Sequence, residues 1–225
     1  MKYIFNHGHV MLEKSMGDEL DILNAAKASF AAQVTEVDDR GKGILRFLME
    51  NSHGSPWESV VFRFSIRAPI FVVREHFRHR IGSYSEESFR YSTASGEFYV
   101  PDAAHVRTQI GSPGSYTFTQ VEDPMLVTEA QHMIEASQRE AVRTYRNLVD
   151  KGIAKELARV VLPVGMFSTF IWTVNLRALF NFLGLRNHPD AQQEIREYAE
   201  EIEAQAAEVV PYAFELFNQF GRKTP

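Results

Sequence analysis

Hydrophobic positions along the chain switch between a helical and an extended spacing, which predicts a mixed fold dominated by helices. Residues 18–31 and 124–150 repeat apolar side chains every three to four positions, as amphipathic helices do. Residues 60–67 alternate apolar and polar side chains, and residues 167–174 are rich in aromatic and β-branched ones, so both segments predict strands. We therefore expect a single α+β domain over residues 1–225, with a small, largely antiparallel sheet flanked by several helices.

Capping and helix-breaking residues predict where the remaining elements begin and end. Asp38 or Asp39 is placed to cap a helix that ends near residues 51–56. Pro69 suits the first turn of a further helix, which Gly82 is expected to end. The other expected features are helices over 154–161, from 176 and over 190–208, a strand at 97–100, a loop over 103–122 and a kink at Pro211. The inner face of helix 124–150 is expected to carry Ala130, Met133, Ile134, Ala141, Tyr145 and Leu148.

The composition narrows the class of protein. The 225-residue chain contains no cysteine, which excludes disulfides, cysteine-ligated metals and a cysteine nucleophile. Its formal net charge of −5 argues against a general nucleic-acid coat. No apolar run reaches the roughly 20 residues of a membrane-spanning helix, and the first residues lack the apolar stretch of a signal peptide. We therefore expect a protein of the cytoplasm that binds neither a membrane nor nucleic acid.

A local cluster of arginine carries the first candidate chemistry. Residues 63–90 contain six Arg, no Lys and three Glu, although the whole chain is acidic. Arg74 and Arg78 are spaced to form one polar stripe of the predicted helix. Glu75 and His79 are spaced to form the neighbouring stripe. Two interpretations stay open from the residues alone: a site for an anion, which Arg binds through a planar fork, or surface cations that complement the helix dipole.

Histidine pairs suggest a second chemistry. His7 and His9 are two residues apart, and His76 and His79 are three apart. A metal-dependent hydrolase built on these four histidines stays an alternative, but neither pair has a carboxylate or third histidine at ligand spacing. We therefore expect no metal. The glycine-rich nucleotide-binding motifs and the G-x-S-x-G nucleophile motif do not occur in the sequence.

An ordered set of motifs resembles the flavin-dependent thymidylate synthase family. Arg78-His79-Arg80, seven residues and then Ser88 match the family signature R-H-R, seven residues, S. The resemblance runs in order from about residue 17 to about residue 217. The other segments that resemble the family are His53-Gly54-Ser55-Pro56-Trp57-Glu58, Arg67-Ala68-Pro69-Ile70-Phe71, Ala158-Arg159-Val160-Val161-Leu162-Pro163, Trp172-Thr173-Val174-Asn175-Leu176-Arg177, and residues 181–183, 185–186 and 191–196.

The resemblance implies a reaction, its cofactor and an assembly. Members of this family make dTMP from dUMP, with methylenetetrahydrofolate as one-carbon donor, NADPH as reductant and FAD as redox carrier. They use no cysteine nucleophile, which suits a chain without cysteine. An Arg activates the pyrimidine, and the reduced flavin delivers the hydride. The resemblance also implies a homotetramer with sites shared between subunits.

The same resemblance implies roles for individual positions. Arg186 is expected to be catalytic, because it stands where the family's Arg contacts the pyrimidine and favours ionisation at N3. Arg90 and Arg159 are assigned to phosphate or sugar contacts. The residues expected around dUMP are Glu75, Arg78, Glu86, Glu87, Ser88, Phe89, Arg90, Arg159 and Arg186. The residues expected to hold FAD are His53, Ser55, Arg78, His79, Arg80, Ile81, Glu86, Asn175, Arg177 and Asn181.

Some positions depart from the family pattern or have a second expected role. Ser85 stands where many members have Asn, and Glu75 stands where some have Gln. A carboxylate beside a nucleotide repels it unless an Arg neutralises it, so a direct contact of Glu75 with dUMP requires a neutralising Arg. Asn175 is also expected to cap the helix that follows it. A nucleotide- or RNA-binding module that uses the Arg cluster without redox chemistry remains the alternative from another class.

Overall fold

Two long antiparallel strands, β3 (Val61–Pro69) and β7 (Phe167–Asn175), form the centre of the main sheet. The computed structural model describes residues 3–112 and 114–222. Phe64 lies opposite Trp172 in the register of the two strands, and their rings stack at 6.1 Å. The other strands are β1 (Tyr3–Ile4), β2 (Gly8–Met16) and β4 (Ser83–Glu86), and the order across the antiparallel sheet is β1-β2-β3-β7-β4.

Eight α-helices occur in the described part of the chain, and several begin at the caps that the sequence predicts. The Asp38 side chain accepts a hydrogen bond from the Gly41 N–H, and the Asn175 side chain accepts one from the Ala178 N–H. The helices are α1 (Glu19–Lys27), α2 (Asp39–Glu50), α3 (Ile70–His76), α4 (Pro124–Asp150), α5 (Lys155–Ala158), α6 (Leu176–Arg186), α7 (Gln193–Ala207) and α8 (Pro211–Leu216). Short 3₁₀ turns cover Ala28–Phe30, Ser55–Ser59 and Arg159–Val161, and a π-helical turn covers Phe217–Gly221.

The main core lies where helices cover β2, β3 and β7. Fully buried side chains of α1, α2, α6, α7 and α8 pack on Phe62, Phe64 and Trp172. A smaller apolar cluster lies under α4, around Tyr145 and Met166. The helix-dominated α+β fold with a small antiparallel sheet is therefore confirmed.

Four local predictions are wrong. The helix that starts after Pro69 ends at His76 rather than at Gly82, and residues 83–86 form an edge strand paired with β7. Residues 97–100 contribute only an isolated bridge between Phe98 and Met166. Residues 103–122 are not a plain loop, because β5 (Arg107–Ser112) and β6 (Ser115–Gln120) pair there in an exposed hairpin.

The fourth error concerns part of the face that α4 buries, because Tyr145 is buried and Leu148 packs against the smaller apolar cluster as predicted. The buried residues of α4 are Val127, Gln138, Val142 and Tyr145, whereas Met133 is 67 % exposed. Ile134 is exposed as well. One helix of 27 residues therefore carries two apolar stripes, and a single chain covers only one of them.

No helix in the described part of the chain is long and apolar enough to cross a membrane.

Candidate functional site

Arg186 meets two residues that precede β4, although they are more than 100 positions away in the sequence. The last turn of α6 carries Arg186, whose Nε donates a hydrogen bond to His79 Nε2 at 2.9 Å. Its Nη1 donates to Glu75 Oε1, in the last turn of α3, in a short ion pair. Both charged side chains are half-buried, with 21% of Arg186 and 24% of Glu75 exposed. We call Glu75, His79 and Arg186 the Arg186 cluster.

Electrostatics keep His79 neutral within this cluster. Burial, together with the nearby Arg186 charge, lowers the pKa of His79 to about 4. The imidazole therefore has a lone pair at neutral pH and accepts the hydrogen bond from Arg186 Nε. The ring is also held edge-on against Phe182, with centroids 4.9 Å apart. His79 thus fixes the guanidinium without adding charge to it.

An aromatic wall lies directly behind the cluster. The His76 ring contacts Trp172 at 4.4 Å and Phe182 at 4.5 Å, and its Nε2 has no hydrogen-bond partner within the described structure. Complete burial, with His79 and Arg186 close by, lowers the pKa of His76 well below its usual value. Tyr84 donates from its hydroxyl to the His79 carbonyl at 2.6 Å. The wall excludes water from one side of Arg186 and fixes the turn that carries His79.

A second group of predicted residues lies beyond the other end of β4. The Arg90 side chain pairs with Glu156, with Nη2 2.9 Å and Nε 3.2 Å from the same carboxylate oxygen. Arg159 follows one turn after Glu156, and both line an open cavity of about 350 Å³ with Phe89. We call Arg90, Glu156 and Arg159 the Arg90 cluster. Two guanidinium groups beside an open cavity suit an anionic ligand.

The residues between the two clusters are held by strand and turn contacts. Glu86 ends β4, and its Oε1 accepts a hydrogen bond from the Ser168 hydroxyl at 2.8 Å. Ser88 is half-buried in the turn before Arg90, and the Arg90 N–H lies 3.4 Å from its Oγ. Glu87 accepts from the Ser92 hydroxyl at 3.0 Å. No base contacts the Ser88 hydroxyl among the described residues, which fits a binding role.

A third group surrounds the first turn of α6. Arg177 Nη1 donates to Glu58 Oε1 at 2.6 Å, across the 3₁₀ turn Ser55–Ser59. A Cβ on Gly54 would overlap the Arg177 guanidinium, so this position admits only glycine while Arg177 keeps its place. We call Gly54, Glu58 and Arg177 the Arg177 cluster. The preceding His53 is exposed and rests against Phe47.

The structure places every predicted site residue within the described part of the chain. The exposed ones are His53, Ser55, Arg78, Arg80, Ile81, Glu86, Glu87, Arg90, Arg159, Arg177 and Asn181. The half-buried ones are Glu75, His79, Ser88, Asn175 and Arg186, and Phe89 is buried. Arg177 and Asn181 face away from the buried Leu179 and Leu183, as their spacing predicts.

The predicted stripes of Arg74 with Arg78 and of Glu75 with His79 do not form on one helix, because α3 ends at His76. Glu75 and His79 meet through Arg186 instead.

Sequence reasoning missed three contributors to these clusters. Glu156 lies just before the segment from Ala158 to Pro163, and its charge three residues before Arg159 was the available signal. Glu58 and Gly54 fall inside the histidine-containing turn that resembles the family. Their contacts with Arg177 span more than 100 residues of sequence, so spacing alone does not predict them.

Within a single chain, the residues predicted to bind FAD lie near opposite ends of α6. Arg177 is in the first turn, whereas His79 contacts Arg186 in the last turn. An eleven-residue helix is about 16 Å long. The predicted dUMP residues are likewise divided between the Arg186 and Arg90 clusters, at opposite ends of β4.

The histidine pairs do not form a metal site. The structure has no group of three or more His, Asp or Glu side chains arranged to hold a metal, within residues 3–112 and 114–222. His76 is enclosed by aromatic rings, and His7 lies 3.5 Å from Glu97 near the other edge of the sheet. The metal-dependent hydrolase therefore has no support from the geometry.

Comparisons with known proteins identify sequence and structural relatives. The sequence profile described as "Thymidylate synthase complementing protein" matches residues 11–212. A protein of Thermosipho africanus named "Flavin-dependent thymidylate synthase" is 40% identical over 224 residues, covering 99% of this chain and 96% of the relative. One of the same name from Streptomyces coelicolor is 40% identical over 231 residues, covering 96% and 93%.

A solved structure resembles the whole fold. It is a UMP/dUMP methylase, PolB from Streptomyces cacaoi, bound with 5-Br dUMP. It superposes with a TM-score of 0.88 at 37% sequence identity and covers 97% of each chain. The likeness in fold therefore extends over nearly the whole of both chains.

Proposed function

Because this chain belongs to the thymidylate synthase complementing protein family, we propose that it methylates dUMP to dTMP with a flavin as redox cofactor. The resemblance seen in the sequence and the prediction of an enzyme of this family are confirmed. The observation that carries the proposed reaction is the half-buried Arg186, held from two sides and backed by an aromatic wall.

Arg186 supplies the charge that the pyrimidine needs. C5 of uracil is a poor nucleophile, and negative charge on the ring strengthens it. A chain without cysteine cannot activate the ring by thiolate attack at C6. A guanidinium held beside N3 favours ionisation there, and it costs no reorganisation because the protein has already oriented it. His79 and Glu75 hold the Arg186 guanidinium in a fixed orientation of this kind.

The Arg90 cluster suits the phosphate of the nucleotide. Arg90 and Arg159 are both exposed. Arg159 and Glu156 line the open cavity, and Arg90 reaches it through its ion pair with Glu156. A phosphate replaces the carboxylate with a similar fork-shaped contact. Ser88 and the backbone of its turn add donors at the same end of β4.

FAD is the form of flavin that we propose, and the residues fit a diphosphate. Arg177 lies in the cradle left by Gly54, and Arg78 and Arg80 are exposed cations near the Arg186 cluster. The proposed set is completed by His53, Ser55, His79, Ile81, Glu86, Asn175 and Asn181. When bound, FAD supplies the hydride that brings the transferred carbon to the methyl level. Methylenetetrahydrofolate is the proposed carbon donor, and NADPH is the proposed source of the reducing equivalents.

We further propose that the enzyme is a homotetramer whose sites are completed by neighbouring subunits. Each chain separates the residues proposed for one ligand into clusters at opposite ends of α6 and β4. Large apolar side chains lie exposed along α4 and beside the Arg90 and Arg186 clusters, where a partner subunit would cover them. These residues are Ile81, Tyr91, Met125, Met133, Leu157, Val160 and Val164. A monomer that is catalytically active in sizing with light scattering contradicts this assembly.

The test of the proposed function combines a spectrum with product identification. The purified protein is expected to show a flavin absorption band that NADPH bleaches without oxygen. Adding dUMP and methylenetetrahydrofolate is expected to give dTMP, identified by mass spectrometry. A colourless protein that takes up no FAD and forms no dTMP overturns the proposal. Nucleotide affinity that falls steeply with salt in such a protein supports the binding-module alternative.

A further inference from the structure

Glu75 uses its carboxylate to hold Arg186. The sequence places Glu75 among the residues around dUMP, where a free carboxylate would repel the nucleotide. In the structure Glu75 Oε1 accepts a hydrogen bond from Arg186 Nη1, and the two side chains are 24% and 21% exposed. The negative charge of Glu75 is therefore engaged in an ion pair with Arg186.

Two acceptors fix the guanidinium and leave its third nitrogen available. His79 Nε2 accepts a hydrogen bond from Nε, and Glu75 Oε1 accepts one from Nη1. No acceptor within residues 3–112 and 114–222 forms a hydrogen bond with Nη2. Because a guanidinium is planar, two fixed nitrogens determine where the third lies. Glu75 thus decides where Arg186 presents its remaining donors.

The carboxylate also sets the net charge of the cluster. Of the titratable groups close to Arg186, His79 and His76 have pKa values lowered by burial, and both are neutral near pH 7. Glu75 is the partner of opposite charge, and a half-buried pair is weakly screened by water. A pyrimidine beside Arg186 therefore meets a guanidinium whose charge is partly cancelled.

We propose that Glu75 is a positioning residue, which orients Arg186 and limits the positive charge that Arg186 presents to the pyrimidine, without itself contacting dUMP. This inference rests on the proposed function. Glu75 then has two separable effects, which are the orientation of Arg186 and the partial cancellation of its charge. An acceptor oxygen is enough to orient Arg186, whereas only a carboxylate limits its charge.

Two substitutions separate these effects. Glu75→Gln keeps an acceptor oxygen but removes the charge. Glu75→Leu removes both at similar volume. The probe is 5-bromo-dUMP, since its electron-withdrawing bromine makes N3 more acidic and the N3 anion has its own ultraviolet spectrum. A pH titration of the bound probe reports the charge beside N3, and turnover of dUMP reports the orientation of Arg186.

The expected result is a different effect for each variant. In Glu75→Gln the pH midpoint for N3 ionisation of the bound probe falls by about 0.5–1 unit, because the guanidinium charge is no longer cancelled. Glu75→Leu turns over dUMP at least about tenfold more slowly than Glu75→Gln, because Arg186 loses its second anchor. Flavin content and circular dichroism are measured for both variants to show that they fold.

Glu13→Gln is the matched control. This substitution also removes a carboxylate that pairs with an Arg, since Glu13 Oε2 lies 3.1 Å from Arg63 Nε. The pair lies on the paired strands β2 and β3, and neither residue belongs to one of the three clusters. Its titration and turnover are expected to match the wild type.

Two outcomes overturn the inference. One is an unchanged midpoint in Glu75→Gln. The other is equal turnover in the Gln and Leu variants. If Glu75→Leu does not fold, the midpoint of Glu75→Gln alone decides. A wild-type enzyme that neither binds the probe nor methylates dUMP overturns the proposed function, and the inference with it.

Discussion

The Arg186 and Arg90 clusters use the same Arg–Glu pairing in different surroundings. Arg186 and Glu75 are 21% and 24% exposed, whereas Arg90 and Glu156 are 47% and 59% exposed. An exposed ion pair contributes only about 0–1 kcal/mol, so a phosphate can replace Glu156 at little cost. A half-buried pair is screened less and does not exchange partners so readily. Burial therefore distinguishes an Arg that is held in place from one that is free to take a ligand.

From this difference in burial we propose different kinetic roles for the two arginines. A group fixed before the substrate arrives acts on the transition state and changes kcat. A group that exchanges one anion for another acts on substrate binding and changes KM. The substitutions below test this difference, in order of decreasing expected effect.

Replacing Arg186 is expected to have the largest effect. Arg186→Ala lowers kcat by roughly 10²–10³-fold, since the loss of one preorganised donor costs about that much. Flavin content is expected to stay close to the wild-type value. Steady-state kinetics and flavin absorbance on the same sample measure kcat and flavin content. Arg186→Lys is the comparison variant, which keeps the positive charge but lacks the planar guanidinium group. A flavin-free protein that turns over normally once FAD is added contradicts the role given to Arg186.

Replacing Arg90 is expected to change KM rather than kcat. Arg90→Ala raises the KM for dUMP by about tenfold, which corresponds to the loss of a charge-assisted hydrogen bond of about 1.4 kcal/mol. Arg63→Ala is the control, because Arg63 is also 47% exposed and paired with a Glu. A fall in kcat with constant KM in Arg90→Ala would remove the distinction between the clusters.

Replacing Gly54 tests the Arg177 cluster. Gly54→Ala is expected to displace Arg177 and to weaken FAD binding several-fold, measured by flavin retention on dilution, because a Cβ overlaps the guanidinium. Gly43→Ala is the matched control. Nothing lies within 4 Å of a Cβ at Gly43, which is exposed in α2, so the change is expected to stabilise the protein by about 0.5–1 kcal/mol. Equal flavin retention in both variants contradicts a role for the Gly54 cradle.

The smallest effect concerns the buried histidine of the aromatic wall. Burial lowers the pKa of His76 below its ordinary 6.5, so the folded protein keeps it neutral while the unfolded chain binds a proton below about pH 6.5. The stability present above pH 6.5 is thus lost as the pH falls towards the lowered pKa, by at most about 1.4 kcal/mol per pH unit for one proton.

His76→Phe removes this proton uptake and suits the surrounding aromatic rings. Urea unfolding at pH 7 and pH 5.5 is expected to show a stability loss about 1 kcal/mol smaller than in the wild type. His79 still contributes to the loss of stability at low pH in both proteins, since its pKa is also lowered. The same loss in both proteins contradicts a buried neutral His76.

Local signals predict the fold wherever one element carries its own pattern. The caps Asp38 and Asn175 and the bounds of α4 follow from the sequence. The edge strand β4 was missed because Ser83-Tyr84-Ser85-Glu86 has no hydrophobic alternation, and it forms by pairing with β7. Met133 and Ile134 were assigned to the core from their periodicity. Periodicity identifies an apolar stripe but not which neighbour covers it.

In the candidate site too, local sequence patterns are predictable, whereas contacts between distant elements are not. The types and order of the residues that resemble the family point to Arg186, Arg90 and Arg177. Their partners Glu75, Glu156 and Glu58 are brought in by the tertiary fold, so their pairings are not encoded in any local spacing. The burial that separates the Arg186 cluster from the Arg90 cluster is likewise a property of the packed sheet and helices.

The most direct measurement is dTMP formation in a single turnover by the prereduced wild-type enzyme and by Arg186→Ala, at matched flavin content. We expect up to one dTMP per bound flavin in the wild type, and formation at least about a hundredfold slower in the variant. Formation of dTMP at the wild-type rate by Arg186→Ala would contradict the claim that this fixed guanidinium activates the pyrimidine.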